Sequence, residues 1–133
     1  MQTGRLPVVL NALFKPWRYV IGHSDLELRS FGPDGSVTHV TFTGVSAVKL
    51  KARYSPLTLD LAVGEEAREI LDFSDPAGRS KRVLPVLMTP DLRDGFVACM
   101  AFEVKERSGP SGVDANGIPL GAEDLIFRYR KDG

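Results

Sequence analysis

Four consecutive segments between Asp25 and Val63 alternate apolar and polar residues with a period of two. In the first segment, Leu26 and Leu28 fall on one side of the chain and Glu27 falls on the other. Because successive side chains of a strand point to opposite faces, the pattern predicts strands with one buried and one solvated face. We therefore expect an α+β or mostly β fold, built on a curved antiparallel meander sheet with one or two short helices.

The order of the four segments predicts a meander. A turn at Gly32-Pro33-Asp34-Gly35 joins the first segment to a second one, from Ser36 to Thr43, in which Val40 and Phe42 face the core. The inward-facing residues of the third and fourth segments are then Val48, Leu50, Ala52 and Tyr54, followed by Leu57, Leu59, Leu61 and Val63. Four neighbouring antiparallel strands are the predicted arrangement.

Two segments outside this region have ambiguous patterns. Pro7 to Phe14 is apolar on all sides, which fits a short buried helix, our preferred interpretation, or an opening strand. Residues 64–88 fit either a helix beginning near Glu65 and Glu66 or a hairpin, in which Pro85 would occupy an edge strand.

The last third of the chain adds two predicted strands. Phe96 to Val104 is apolar on both faces at its start, which predicts one long central strand with a short helix covering its second face. A final strand is predicted where Leu125, Phe127 and Tyr129 alternate with Ile126, Arg128 and Arg130.

Length and charge limit the class of protein. The chain has 133 residues, so we expect a single domain covering 1–133 that can bury its own core. Lys plus Arg equals Asp plus Glu at 17 each, which argues against a nucleic-acid-binding domain. One cysteine, Cys99, excludes an internal disulfide and indicates the cytoplasm. Leu6 to Phe14 is too short for a membrane span and lacks a cleavage site, so no membrane association is expected.

Few residues point to catalysis. His23 and Asp25 could place an imidazole beside a carboxylate, as general acid-base chemistry requires, but no marked nucleophile accompanies them. His39 shares the predicted polar face with Thr41 and is expected to be solvated. Cys99 lies in an apolar strand, where we expect an inert thiol. We therefore favour a protein that is not an enzyme.

No cofactor or metal is expected either. The stretch from Gly112 to Glu123 overlaps a calcium-loop template, yet Gly112 stands where the template needs a carboxylate. With two histidines and one cysteine, the chain also lacks the ligands of a structural zinc site. The short basic run from Arg79 to Arg82 is interpreted as a solvated loop.

The third alternating segment supplies our predicted binding residues. Lys49, Lys51 and Arg53 project from one strand face at a spacing of about 7 Å, forming a ridge of positive charge that suits an acidic protein partner. The same lysines also suit an edge strand that avoids sheet-to-sheet aggregation. Trp17 and Tyr19, close to basic residues, are interpreted as core anchors or as stacking residues.

The run from Trp17 to Arg29, with the segment Val40 to Val45, resembles small uncharacterised bacterial proteins, some of which are similar to immunity proteins of interbacterial toxin systems. The resemblance implies a bacterial protein that binds another protein, and it transfers no functional residue.

The sequence thus predicts a binding protein with a protein partner, and it leaves open whether a second copy of the chain is that partner. The alternatives are a small hydrolase or isomerase using His23 and Asp25, and a barrel, closed by the last strand, that holds a small apolar ligand.

Overall fold

Two antiparallel sheets of five strands each pack face to face, and one α-helix lies on the outside of the first sheet. A short 3-10 helix, Leu92–Asp94, precedes the fourth strand of that sheet. The computed structural model describes residues 5–20, 22, 24–33, 35–75, 83–107 and 123–130, and these counts refer to that part of the chain. In chain order the elements are β1 Val8–Leu10, β2 Lys15–Val20, β3 Asp25–Phe31, β4 Val37–Thr43, β5 Ala47–Lys49, β6 Leu57–Leu61, α1 Gly64–Ser74, β7 Leu84–Leu87, β8 Phe96–Cys99, β9 Ala101–Arg107 and β10 Glu123–Arg130.

The first sheet has the order β1-β6-β7-β8-β5, and the second has the order β10-β9-β4-β3-β2. The mostly β class with antiparallel sheets and a short helix is therefore confirmed. The sheets do not close into a barrel, because β10 ends the second sheet instead of joining the first. The barrel interior that the sequence offered as an alternative ligand site is not formed.

The first predicted hairpin is confirmed. β3 and β4 pair in the register Leu28 with Val40, and the Gly32 amide donates to the Ser36 carbonyl at 2.8 Å across the turn. Gly35 has a φ of 85°, the left-handed conformation that glycine adopts without strain. Local turn chemistry and strand patterning agree here, and so the prediction holds.

The meander prediction is wrong beyond this hairpin, because the third and fourth segments belong to the first sheet. β5 has only three residues and pairs with β8, while β6 pairs with β1 and β7. In a sandwich both sheets turn their apolar side chains to one shared core, so the same alternation fits either sheet. That core contains Leu28 and Val40 from the second sheet and Leu59 and Val86 from the first.

The single long strand predicted from Phe96 to Val104 is also wrong. The chain bends at Met100 and passes from β8 in the first sheet to β9 in the second. Val97 and Phe102 would point to opposite faces of one continuous strand, because their positions differ by an odd number of residues. Both face the shared core, since the bend at Met100 changes which residues point inward. The prediction that a helix covers the second face of this region is confirmed, since Phe96 packs in a cluster with Ile70 of α1.

The ambiguous segments resolve as follows. Within the described part of residues 64–88, Gly64–Ser74 form α1 and Leu84–Leu87 form β7, so the helix interpretation is confirmed. Pro85 lies in a central strand between β6 and β8 and not in an edge strand. The Pro85 carbonyl accepts a hydrogen bond from Ala62 at 2.8 Å. The preferred helix at Pro7 to Phe14 is wrong, because β1 pairs with β6 there and satisfies its backbone groups.

Candidate functional site

The three predicted binding residues are exposed, but they do not form a regular row. β5 ends at Lys49, so Lys51 and Arg53 lie in the irregular connection to β6. Lys51 is partly neutralised, since its Nζ lies 3.7 Å from Asp94 Oδ1. The prediction of a strand-borne ridge is wrong in its geometry, because it assumed that the strand continued to Tyr54.

Tyr54 explains why the strand ends. Its hydroxyl accepts a hydrogen bond from the Lys51 amide at 2.9 Å and donates one to the Asp94 carbonyl at 2.7 Å. A Cβ at Gly95 would overlap this hydroxyl and the Lys49 carbonyl, and Gly95 has a φ of 125°. The buried ring therefore ties the β5–β6 connection to the loop before β8, and burial raises the pKa of Tyr54.

Only one of the two weak catalytic candidates belongs to the part of the chain that the structure describes. His23 lies outside the described residues, while Asp25 begins β3 opposite Val20. The expectation that His39 is a solvated histidine is wrong: its side chain is 11% exposed and its Nδ1 lies 3.8 Å from Glu27 Oε1. β3 and β4 pair side by side, so Glu27 and Arg29 of β3 lie next to His39 of β4 and reduce its exposure.

Cys99 is confirmed as a core residue. It is fully buried between the sheets, and desolvation raises the pKa of its thiol to about 12. The calcium-loop template from Gly112 to Glu123, apart from the final backbone position, and the basic run from Arg79 to Arg82 lie outside the described residues. Within the described ranges, no group of three His, Cys, Asp or Glu side chains could hold a metal ion. None of the helices in that same part of the chain has the length and hydrophobicity needed to cross a membrane.

The most distinctive surface lies on β2 and β3 of the second sheet. We call it the aromatic-basic patch and define it by Lys15, Trp17, Arg29 and Phe31. The ring centroids of Trp17 and Phe31 are 5.1 Å apart in an edge-to-face arrangement, and the Arg29 guanidinium carbon lies 5.2 Å from the centroid of Trp17. Trp17 is 51% exposed and Phe31 is 57% exposed. The interpretation of Trp17 as a core anchor is therefore wrong.

A β-bulge places the Trp17 side chain at this surface. The register between β2 and β3 shifts between Pro16 and Arg18, so Trp17 is the extra residue and has no cross-strand partner. β2 is an edge strand, where Pro16 lacks an amide hydrogen at little cost. The sequence Lys15-Pro16-Trp17 thus bends the edge strand and redirects the indole away from the core.

Charges surround the aromatic pair. The Nε of Arg29 donates to the Glu27 carboxylate, and this ion pair holds the guanidinium over the indole. Lys15 lies directly opposite Arg29 in the strand register, and Arg18 lies opposite Glu27. The neighbourhood therefore has three cations for one carboxylate, which gives it a local positive potential in a protein of zero net charge.

The patch borders an open cavity of about 550 Å³. Its lining combines apolar, hydroxyl and charged groups from β2, β3, β4, β9 and the adjoining loops: Ala12, Leu13, Lys15, Trp17, Arg29, Ser30, Phe31, Gly32, Pro33, Ser36, Thr38 and Glu106. A second open groove, of about 410 Å³, lies between α1 and the first sheet and contains Lys49, Glu69 and Phe73. The first has the richer mixture of chemical groups.

Sequence reasoning noticed Trp17 but missed Arg29 and Phe31. The available signal was Phe31 itself, because it follows Glu27 and Arg29 on the polar face of the first alternating segment. A single exposed aromatic side chain is common on protein surfaces, so Phe31 becomes informative only together with Trp17. What the alternation could not show was that the bulge in β2 brings Trp17 to the same place.

The fold and the patch together define a β-sandwich with a preformed aromatic and arginine surface. No family model matches the chain, and neither a curated protein nor a solved structure matches it.

Proposed function

We propose that this protein binds another protein through the aromatic-basic patch. The observation that carries the proposal is the exposed pair Trp17 and Phe31, with Arg29 held against the indole by Glu27. Tryptophan, tyrosine and arginine are the residues most enriched among those that dominate the energy of protein interfaces. An exposed tryptophan whose neighbours are already in place also loses little conformational freedom on binding.

The surface around the patch extends the same composition. Leu13 is 42% exposed and lines the same cavity, and Arg18 lies opposite Glu27 on the sheet face that carries Arg29. A stable interface buries about 800 Å² on each partner, which requires such flanking side chains around a central cluster. The net positive charge of the side chains around the patch favours a partner whose contact surface is acidic.

The edge of β2 favours recognition through side chains over strand addition. Pro16 removes one amide donor, and the bulge at Trp17 interrupts the regular spacing that a pairing strand needs. Both features protect an edge from unwanted pairing. A partner therefore meets the ring faces and the guanidinium, not the strand backbone.

The resemblance to immunity proteins supports a bacterial polypeptide toxin as the class of partner, and the single cysteine supports a cytoplasmic location. The Lys49, Lys51 and Arg53 surface stays a second proposed contact, supported by the exposure of all three side chains.

The proposal is tested by affinity capture from the native organism followed by direct binding of the captured protein to the purified chain. The Trp17→Ala/Phe31→Ala variant should lose at least thirtyfold in affinity, about 2 kcal/mol. Phe73→Ala is the matched control, because Phe73 is a 69% exposed aromatic residue on α1. Equal affinity of the patch variant and the wild type, or capture of a second copy of this chain alone, contradicts the proposal.

A further inference from the structure

We infer that Lys15 and Arg29 form a carboxylate-binding site within the aromatic-basic patch, so that the docking segment of the partner carries an aspartate or glutamate next to an apolar residue. This inference rests on the proposed function and adds the chemistry that the patch recognises. Its starting point is the juxtaposition of Lys15 and Arg29, which are direct cross-strand partners in β2 and β3.

Two like charges directly opposite each other destabilise a sheet. Glu27 offsets this repulsion on the side of Arg29, but Lys15 forms no ion pair with any residue in the described ranges. An anion seated between the two side chains would remove the repulsion and gain two charge-assisted hydrogen bonds. The unfavourable pair is thus a place where binding of an anion stabilises the folded domain.

Arg29 is arranged as a receptor for such an anion. Its Nε is engaged by Glu27 and its plane lies over Trp17, while its terminal nitrogens donate no hydrogen bond to a described residue. A guanidinium fixed in this way keeps two parallel donors for a carboxylate and loses little entropy when it binds. The Arg29 side chain is 27% exposed, so the donors can be reached from solvent.

Glu106 also lines the cavity, but its carboxylate does not lie between Lys15 and Arg29. Glu106 aligns with Thr38 across β9 and β4, and Thr38 aligns with Ser30. Ser30 is buried and follows Arg29 directly, so this row points to the opposite face of the sheet from Arg29 and Lys15. The cationic pair and the exposed rings therefore share one face, which suits an acidic side chain flanked by an apolar one.

Short peptides test the inference without knowledge of the partner. The probes are the acetylated, amidated tetrapeptide glycine-phenylalanine-aspartate-glycine, its asparagine counterpart, and inorganic phosphate. The chain has one tryptophan, so the indole N–H signal in a ¹⁵N-correlated spectrum reports binding at the patch directly. We expect the aspartate peptide to bind at least fivefold more tightly than the asparagine peptide at low salt.

Lys15→Gln should reduce this preference to less than twofold, while leaving the stack of Arg29 on Trp17 in place. Arg68→Gln, at an exposed arginine that pairs with Glu65 on α1, is the control and should keep the full preference. Equal binding of the two peptides would overturn the carboxylate site while leaving the patch as a protein-binding surface. Tighter binding of phosphate than of the aspartate peptide would overturn it in favour of a phosphate site. No change of the indole signal with either peptide up to about 10 mM, which corresponds to a binding energy weaker than about 3 kcal/mol, would contradict the carboxylate site. The protein-binding role of the patch is tested separately, by the affinity of the captured partner.

Discussion

Replacing Tyr54 by phenylalanine removes a single hydroxyl that joins two loops of the first sheet. The ring stays in the core, where Tyr54 is 2% exposed, so the change creates no cavity. What is lost is the hydrogen bond from the Lys51 amide and the hydrogen bond to the Asp94 carbonyl. Each such bond contributes about 0.5–1.5 kcal/mol, so Tyr54→Phe should lower the free energy of unfolding by about 1–3 kcal/mol.

Urea denaturation measures this loss. With a denaturant slope of about 2 kcal/mol per M, the expected shift of the midpoint is roughly 0.5–1.5 M. Tyr19→Phe is the matched control, because Tyr19 is 45% exposed, and it should change stability by less than about 0.5 kcal/mol. A loss below about 0.5 kcal/mol for Tyr54→Phe would show that the hydroxyl does not hold the two loops together.

The pH dependence gives the same substitution a second readout. Burial raises the pKa of Tyr54 above its ordinary value of 10.0, so the unfolded chain ionises this phenol first. The associated stability is fully present below pH 10 and is lost as the pH rises towards the pKa of the folded protein. Above pH 10, the free energy of unfolding of Tyr54→Phe should therefore fall less steeply with pH than that of the wild type.

Three further predictions follow from burial and charge. Leu50→Ala should lower the free energy of unfolding by about 1–3 kcal/mol, because the half-buried Leu50 packs on the main core. Lys51→Ala should lower it by less than about 0.5 kcal/mol. Equal losses in denaturant unfolding would contradict the assigned faces. Cys99 should react with iodoacetamide only after unfolding, because its thiol is buried and its pKa is raised to about 12; rapid native alkylation would contradict this. Hydrogen bonds from Arg93 lower the pKa of Asp91 to about 2, so the stabilisation from this pair is present above pH 4 and is lost as the pH falls through 2. In an NMR titration, Arg93→Ala should raise the pKa of Asp91 towards 3.8. An unchanged pKa would show that the pair is not formed in solution.

The parts of the fold that local chemistry controls could be predicted. The turn after Phe31 and the alternation on both sides of it act within a few residues, so the β3–β4 hairpin follows from the sequence. The helix at Gly64–Ser74 was one of two open interpretations, since acidic residues at its start favour a helix while the apolar run after it fits a strand equally well.

The assignment of strands to sheets could not be predicted. Leu28 and Leu59 both alternate with polar neighbours and both face the core, yet they lie in different sheets. Alternation shows only which side chains of a strand are buried and which are exposed. The neighbouring strand with which it pairs depends on long-range packing. The bend at Met100 could not be predicted either, because small and apolar residues flank it on both sides and no turn residue marks it.

The candidate site was predicted only in part. Trp17 and its basic neighbours stand out in the sequence, whereas their contact with Arg29 and Phe31 depends on a bulge that shifts the register by one residue. Pro16 gives a hint of an irregular edge strand, but it does not say which residue becomes the extra one. The ridge of Lys49, Lys51 and Arg53 was predicted from a strand that Tyr54 ends early.

We propose that the aromatic-basic patch, and not the surface with Lys49, Lys51 and Arg53, carries most of the binding energy. Biosensor measurement of the dissociation constant of the captured partner tests it most directly, with circular dichroism to show that each variant is folded. We expect Trp17→Ala alone to weaken binding by at least tenfold, about 1.4 kcal/mol, and the triple change of Lys49, Lys51 and Arg53 to glutamate to act mainly by slowing association at low salt. An unchanged affinity for Trp17→Ala, together with a tenfold loss in the triple variant that persists at high salt, would contradict the account.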